Sequence, residues 1–398
     1  MASNALKDIT VLDLTRVLAG PYATMMLADY GANVIKIEVP GKGDDTRSMG
    51  PFKNGESMYY ANVNRNKKSI TLNLKAEEGK KMFLEMVKKA DVVVENYRPG
   101  VMDKLGLGYD VLKEVNDQII YAAVSGFGCY GPKYLRPGYD IIAQSYGGLM
   151  SITGPAGGSP TRVGNAMGDV LGGMNLTIGI LMALHARTVI GHGQRVDVAL
   201  VDSVVASLET GTQRFFASGK QPELIGNRYA AAYPYDSFRA KDGMFVIGCG
   251  NDKLFSLLCN KVLNMPELME DPRFNSNPNR CENWAALKPI IEEWSVQYTI
   301  DEAVAIVDAA GVPASPINDL PRITTDEHVA VAREMFVSLP HPVIGDMKVN
   351  GNPVKLLETK AEITQCAPTL GQHNEAIYGE LLGLGDAELA ELREKKVI

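Results

Sequence analysis

Hydrophobic and polar positions alternate in blocks along the first two hundred residues: short continuous apolar runs, then longer stretches with apolar side chains every three or four positions. Runs of the first kind read as strands buried on both faces, and stretches of the second kind as helices. Residues 9–14 predict a buried strand. Gly20-Pro21 opens a helix through Met25, Met26 and Leu27, Gly31 closes it, and residues 33–38 predict the next strand. The pattern repeats with a strand over 70–74, a helix over 80–90 that puts Met82, Phe83, Met86, Val87 and Ala90 on one face, and a strand over 91–95. A short helix at 111–115 precedes a strand at 119–125. Strands alternating with helices predict an α/β fold with a parallel sheet. The loop 126–139, rich in Gly, Pro and Tyr, then falls at the carboxyl end of a strand, where open sheets of this class bind ligands.

From residue 170 an apolar helix runs to about 187, followed by a turn at 189–193, a strand at 195–199 and an apolar stretch at 201–208. Near Gly219 the texture changes. Residues 225–325 hold a strand at 244–248, several helices and many turn formers, which predicts a second, smaller domain. Thr299-Ile-Asp-Glu302 is a capping box that opens a helix over 303–310, and Gly311 ends it. Residues 331–355 read as strand and turn, and Asp386 as the cap of a last amphipathic helix through Leu389 and Leu392. The chain thus divides into a large domain over 1–220, a small one over 225–325 and a C-terminal segment over 330–398.

Composition narrows the partners. With 398 residues, 45% hydrophobic and 22% charged, the chain can bury a large core and reads as soluble and globular. Lys and Arg number 40 against 47 Asp and Glu, a net charge of -7, so there is no overall basic field for nucleic acid or an anionic membrane. An anionic ligand must be met locally. The start of the chain lacks the charged-then-apolar pattern of a signal peptide, which makes the cytoplasm the expected location. The most continuous apolar run, 176–186, is too short to span a bilayer. Five cysteines without a C-x-x-C pair read as reduced thiols, and five histidines without ligand spacing give no metal site. His185, inside an apolar helical run, reads as a core residue.

The chemistry-bearing patterns are few. No G-x-S-x-G elbow, phosphate-binding G-x-x-x-x-G-K-[ST] loop, H-E-x-x-H helix or G-x-G-x-x-G turn is present, which removes the main warrants for several hydrolase, nucleotidase and dehydrogenase readings. The segment 41–47 follows a strand and reads either as a phosphate cradle or as an ordinary turn. Arg16, Arg47, Lys75, Arg98, Lys104 and Arg136 all fall at predicted loop positions, able to hold a polyphosphate together or to stand as separate solvated charges. Asn96-Tyr97-Arg98 offers an amide, an aromatic face and a cation at a strand end. Asp169 lies between Gly168 and the pair Gly172-Gly173 in an apolar, uncharged segment. It reads either as a helix cap ahead of 170–184 or as a desolvated carboxylate reactive toward an electrophile.

An ordered series of motifs then carries a family resemblance. Leu12-Asp-Leu-Thr15, Ala19-Gly-Pro21, Gly31-Ala-Asn-Val-Ile-Lys-Ile-Glu38, Gly43-Asp-Asp-Thr-Arg47, Asn64-Arg-Asn-Lys-Lys-Ser69, Asp91-Val-Val-Val-Glu-Asn96, Arg98-Pro-Gly100 and Gly226-Asn-Arg228 closely resemble the family III coenzyme A transferases. The resemblance extends from about residue 8 to the C-terminus. Segments 226–238 and 248–253 look most like members that move CoA from acetyl-CoA or succinyl-CoA to small organic acids such as oxalate. The resemblance implies open-ring subunits interlocked in a homodimer, each with a Rossmann-like large domain built from both chain ends and a smaller α/β domain. It implies acyl-CoA and a small carboxylic acid as substrates, with no tightly bound cofactor.

By the same resemblance Asp169 is the catalytic carboxylate, passing through an aspartyl anhydride and an aspartyl-CoA thioester. The CoA-binding positions are Val17, Leu18, Ala19, Leu72, Lys75, Asn96, Tyr97, Arg98, Lys104 and Arg136. Tyr139, Asp140, Gln144, Gly248 and Gly250 are implied substrate neighbours, the two glycines standing where a closing loop would lie. The chain departs from the family at Leu18, where some members carry glutamine, and at Val39, where some carry a basic residue. Racemases of the same superfamily resemble the chain too, but place a histidine at Tyr139 to move an α-proton. Imidazole titrates near neutrality and phenol does not, so Tyr139 favours transfer over a 2-methylacyl-CoA racemase. A transferase for a larger acid, such as carnitine, an aromatic acid or a bile acid, is the other alternative.

Overall fold

The computed structural model describes residues 4–398. The chain forms two compact units. The first joins the chain up to Leu149 with Arg162–Thr212 and Glu327–Ile398, and the second joins Met150–Thr161 with Gln213–Asp326.

The first unit is built on six parallel strands. In chain order the strands are β1 (Thr10–Asp13), β2 (Asn33–Glu38), a small hairpin of β3 (Phe52–Lys53) and β4 (Glu56–Ser57), then β5 (Lys68–Thr71), β6 (Val92–Glu95), β7 (Ile120–Ser125) and β8 (Arg195–Ala199). The six-stranded sheet runs β5-β2-β1-β6-β7-β8, and every neighbouring pair is parallel. Counted along the chain, that order is 3-2-1-4-5-6, the doubly wound arrangement of Rossmann folds. Val92, Val93 and Val94 are fully buried because helices cover both faces, which is why the strands read as unbroken apolar runs.

The helices of this unit are α1 (Ala19–Asp29), α2 (Met58–Val63), α3 (Glu77–Val87), α4 (Val101–Lys104), α5 (Tyr109–Val115), α6 (Asp140–Tyr146), α7 (Met167–Ile190) and α8 (Leu200–Ala206). One face of the sheet packs Val11, Val34 and Val94 against Leu27 of α1, Leu176 and Ile180 of α7, and Val204 of α8. The other packs Leu12, Ile35 and Val93 against Phe83 and Met86 of α3 and Tyr378 near the C-terminus. Each such buried side chain contributes about 1.5–3 kcal/mol. The chain's last segment is tied to the outer strand: Thr71 N donates to Asn374 Oδ1 at 2.9 Å, and Tyr378 Oη donates to Thr71 O at 2.6 Å.

α7 corrects one expectation. At 24 residues it is long and apolar enough, by length and composition, to cross a membrane. The count over 176–186 was too short because it stopped at Asn175, whereas the helix starts eight residues earlier. Part of this helix is core, with Leu176, Thr177, Ile180 and Ala183 buried. Its glycines serve close packing: a Cβ on Gly172 would meet Leu200 Cδ2 at 2.4 Å, and one on Gly173 would meet the Ala19 carbonyl at 2.6 Å. His185, expected in the core, is exposed, because it falls on the outer side of this helix. The last helix, Asp386–Glu394, is also capped differently from expectation: Gly385 is the N-cap, and its N–H is satisfied by Glu388 Oε2 at 2.9 Å.

The second unit holds β9 (Tyr235–Arg239), β10 (Met244–Gly248) and β11 (Ala314–Pro316) in an antiparallel sheet of order β11-β10-β9. Phe238, Phe245, Ile247, Phe255, Phe274 and Leu287 form its core. Buried Arg280 donates to the carbonyls of Tyr233 and Phe274 at 2.8 and 3.0 Å and pairs with Asp252 at 2.6 Å. The capping box of Thr299 and Glu302 opens the helix Ile300–Ala309 as read from the sequence. Residues 150–161 pack here and not with the large domain, since Gly226 N donates to Gly154 O at 3.0 Å. The remaining hairpin, β12 (Phe336–His341) and β13 (Gly345–Asn350), belongs to the first unit.

Candidate active site

In a 3-2-1-4-5-6 sheet the strand order reverses between the first and fourth strands, here β1 and β6. Loops leaving the carboxyl ends of those two strands run in opposite directions and open a crevice. Such a crevice is present. A cavity of about 160 Å³ is lined by Arg16, Val17, Leu18 and Ala19 after β1, by Asn96–Pro99 after β6, and by Ser125 and Gly126 at the end of β7. Arg136–Tyr139 and Asp169 complete it together with Asp45, Val124 and Leu200. The loop 126–139 reaches this place because Gly126 and Gly138 cross backbone to backbone, where a Cβ on Gly126 would stand 2.6 Å from the Gly138 Cα.

Beneath the crevice lies a set of buried ion pairs drawn from the sequence motifs. Asp13 accepts from Thr15 and Thr24 and pairs with Lys67 at 3.1 Å. Lys36 pairs with Asp44 at 2.8 Å, both side chains fully buried. Glu38 takes two bonds from Arg47 at 2.7 Å and one from Ser69 Oγ at 2.6 Å. Arg65 grips Asp29 at 2.7 and 3.1 Å. Burial pushes the Asp13 carboxyl up, but the Lys67 and Lys36 charges outweigh it and hold the group ionised below its ordinary value. Burial lowers Lys67 to about 8. The segment 41–47 is therefore an ion-paired turn, with Arg47 committed to Glu38 instead of to the cavity.

Asp169 sits in the first turn of α7, but it does not cap that helix. Ala166 is the N-cap residue and makes no side-chain capping bond. The capping role belongs to Asp140, the first residue of α6, whose Oδ1 accepts from Gly168 N at 2.8 Å. Gln144 holds Asp140 in place, with Nε2 at 2.9 and 3.1 Å from its two oxygens, while Gln144 Oε1 accepts from Val163 N at 2.9 Å. Arg162 approaches Asp140 at 3.7 Å. With Asp140 taking the helix N–H, the Asp169 carboxylate accepts no hydrogen bond among the described residues. Burial, and secondarily the Asp140 charge, push its carboxyl up to about 7. A carboxylate in this state is poorly solvated when ionised, and so a stronger nucleophile than one in water.

Two further groups were not anticipated from the sequence. Tyr59, in α2, is pushed up to about 12 by burial and by the charges of Asp169, Asp44 and Asp140. Glu95, at the end of β6, is raised to about 7 by burial, although its oxygens accept from Tyr97 N at 2.6 Å and Tyr121 Oη at 3.1 Å. Nothing in the sequence sets Tyr59 apart from its neighbour Tyr60; only the charges that the fold arranges around it do.

Of the residues implicated by sequence, Val17, Leu18, Ala19, Asn96, Tyr97, Arg98, Arg136, Tyr139 and Asp169 line the one cavity. Asp140 and Gln144 stand behind Asp169. Leu72 is buried in the hydrophobic cluster under β5, and Lys75 and Lys104 lie outside the lining. Gly248 and Gly250 belong to the second unit, at the end of β10. Arg16 pairs with Asp45 at 3.0 Å, which offsets its charge, while the Arg136 guanidinium lies over the rings of Phe127 and Tyr146, and neither Arg98 nor Arg136 forms a salt bridge among the described residues. The arrangement offers one unpaired nucleophilic carboxylate, cations for an anionic ligand, and a volume below the roughly 300–1,000 Å³ of drug-sized ligand sites. It suits the reacting end of a larger molecule.

Comparison with known proteins gives one answer throughout. The model of CoA-transferase family III matches residues 6–374. The acetyl-CoA:oxalate CoA-transferase of Acetobacter aceti is 45% identical over 349 residues, covering 87% of this chain and 88% of that protein. The mouse succinyl-CoA:glutarate CoA-transferase is 39% identical, covering 97% of this chain and 88% of that protein. Among solved structures, a CaiB/BaiF family protein from Brucella suis superposes with a TM-score of 0.84 at 38% identity, covering 95% of this chain and all of that one.

Proposed function

The chain belongs to CoA-transferase family III, and from that premise we propose that it exchanges coenzyme A between an acyl-CoA and a small dicarboxylic acid by covalent catalysis on Asp169. CoA thioesters are the substrates of such enzymes. The observation that carries the reading is the Asp169 carboxylate, lining the switch-point cavity with no hydrogen-bond partner among the described residues and raised to about 7. One Asp169 oxygen attacks the thioester carbonyl, and the C–S bond breaks to give a mixed anhydride and CoA thiolate. The thiolate attacks the aspartyl carbonyl, expelling the donor acid as carboxylate and leaving an aspartyl-CoA thioester. The acceptor carboxylate attacks that thioester and regenerates thiolate and anhydride. The thiolate then takes the acceptor acyl group, and Asp169 leaves as free carboxylate. Each step exchanges one activated acyl bond for another, so most of the thioester's free energy is kept.

The first N–H groups of α1, which starts at Ala19 in the cavity wall with no acidic residue in its first turn, are suited to the oxyanions formed along this path. Arg16, Arg98 and Arg136 supply the charge for an anionic thioester and for the second carboxylate of the acceptor. Oxalate and glutarate, which appear in the names of relatives, set the acceptor class to assay first. A cytoplasmic homodimer is the assembly in which we expect this chemistry.

The test is to incubate the enzyme with acetyl-CoA or succinyl-CoA, add hydroxylamine, and map the modified peptide by mass spectrometry. A hydroxamate on Asp169 is expected, and its absence alongside normal turnover would falsify the covalent route. The acid screen is read by mass spectrometry of the CoA products.

A further inference from the structure

The turn joining β1 to α1 is held by more bonds than its own backbone could make. Val17, in the cavity wall, sits at φ +66°, a left-handed conformation that a β-branched residue adopts only under constraint. Asn96 and Asp44 supply the constraint from either side. Asn96 Oδ1 accepts from Arg16 N at 2.8 Å, and Asn96 Nδ2 donates to Arg16 O at 2.6 Å. Asp44 Oδ1 accepts from Val17 N at 3.2 Å. Asp44 is itself fixed by Lys36 at 2.8 Å and by the Thr46 N–H and hydroxyl at 2.9 and 2.8 Å. Lys36 Nζ also donates to Thr15 O at 2.8 Å. From the Thr15 carbonyl to the Val17 N–H, the polar backbone groups of the turn end on side chains of other elements. Immediately beyond, α1 begins at Ala19 with no side-chain cap.

We propose that Asn96, backed by Asp44, is a positioning residue that holds Val17 in its left-handed conformation and so aims the uncapped start of α1 at the acyl-CoA. The proposal rests on the reading that the cavity takes acyl-CoA. It changes the role of Asn96, whose expected part was direct CoA contact: the oxygen and one N–H of its carboxamide are committed to Arg16, so it acts first on the turn. Without the clamp a valine returns to negative φ, the peptide after it rotates, and the N–H groups at the head of α1 lose their direction. Glycine is the residue that holds φ near +66° without a clamp, because it has no Cβ to strain. Proline is the opposite case, fixed near -65°.

The experiment is calorimetric titration of the full-length enzyme with CoA, with KM and kcat for acetyl-CoA measured beside it. Asn96→Ala is expected to raise the CoA Kd about tenfold, as when only about a tenth of the molecules hold the competent turn. Val17→Gly alone sets the reference Kd, because it also removes any contact that the valine side chain makes with the ligand. Adding Val17→Gly to Asn96→Ala restores binding to within about threefold of that reference, a recovery that loss of a direct contact does not allow. Val17→Pro, in a protein shown to be folded by circular dichroism, binds at least as weakly as Asn96→Ala. A double variant as weak as Asn96→Ala alone overturns the proposal, and so does tight CoA binding by Val17→Pro. Arg98→Ala and Tyr139→Ala, on the cavity wall but outside the turn, separate the two failures. If they weaken CoA binding while Val17→Pro does not, the clamp is wrong; if they too leave Kd unchanged, the cavity is not the CoA site.

Discussion

Asn in place of Asp169 should end transfer and make the protein more stable, by an amount that depends on pH. The carboxyl is raised from 3.8 to about 7, first by burial and second by the Asp140 charge. In the unfolded chain the same group ionises near its ordinary value. Between pH 4 and pH 7 the folded state therefore binds more protons than the unfolded one, and stability falls as pH rises. Below that window the group costs nothing; above it the cost is complete. At about 1.4 kcal/mol for each pKa step the ceiling is about 4 kcal/mol, and solvent reaching the cavity reduces this to roughly 2–3 kcal/mol. Asn is neutral throughout and removes the cost. With about 2.1 cal/mol/K of unfolding entropy per residue over 398 residues, that gain raises Tm by about 3 °C. The assay is differential scanning calorimetry of both proteins from pH 4.5 to 8.5 without substrate. The Tm difference should be small at the acid end and grow to its full value by pH 8. A difference that stays flat, or one that turns in favour of Asp169 as pH rises, refutes the claim that this carboxylate is desolvated and unpaired.

The pH dependence of kcat/KM should show an acidic limb with its midpoint near 7, since Asp169 attacks only when ionised. Asp140→Asn should lower that midpoint yet leave it above about 5.4, because burial, the larger cause, remains. Glu95 also titrates at about 7, but its neighbours are Tyr97, Tyr121, Arg195 and Asp103, so a limb that ignores Asp140→Asn belongs to Glu95. Gly173→Val places a side chain against the Ala19 carbonyl, where a Cβ would already stand at 2.6 Å. It should cost about 1–3 kcal/mol in urea denaturation and weaken CoA binding by moving the head of α1. Lys67→Met leaves the fully buried Asp13 with Lys36 as its remaining cation and should destabilise by about 3–5 kcal/mol, with only part of the loss recovered in the double variant Lys67→Met, Asp13→Leu, which takes the acceptor from Thr15 and Thr24. Urea midpoints for the two proteins decide it.

Strand and helix positions in the first unit were legible because strands buried on both faces are mostly apolar, and Val92-Val93-Val94 or residues 119–125 announce themselves. The strand order was not legible. Nothing in the spacing of apolar residues says that β6 lies beside β1, and that adjacency creates the crevice and brings Arg16 to Asn96. Hydropathy also misjudged α7 at both ends: its first two turns contain Gly168, Asp169, Gly172 and Gly173, which look like loop residues until the helices they touch are known. Asp169 itself stood out as a lone charge, but whether it capped or reacted depended on Asp140, twenty-nine positions earlier, taking the Gly168 N–H. Tyr59 was invisible for the same reason, since the charge of Asp169 acts on it through the fold and not through its neighbours in sequence.

The motifs that carry the family resemblance are mostly not the reacting groups. Asp13, Lys36, Glu38, Asp44, Arg47 and Lys67 form ion pairs that are wholly or largely buried, and such pairs contribute little net stability, since desolvation offsets most of their attraction. Hydrophobic residues of the same volume would serve the core as well. They would not serve the turns at the strand ends. The Thr15 carbonyl and the Val17 N–H need polar partners, and Lys36 and Asp44 provide them. As charged groups, these two can be buried there only together, because either alone would be an uncompensated buried ion. The pairs therefore bear on the shape of the loops around the crevice more than on the stability of the sheet. On that reasoning, apolar replacement of Lys36 and Asp44 together should loosen the grip on CoA and lower the unfolding midpoint chiefly through the Thr15, Val17 and Thr46 groups it leaves unpaired.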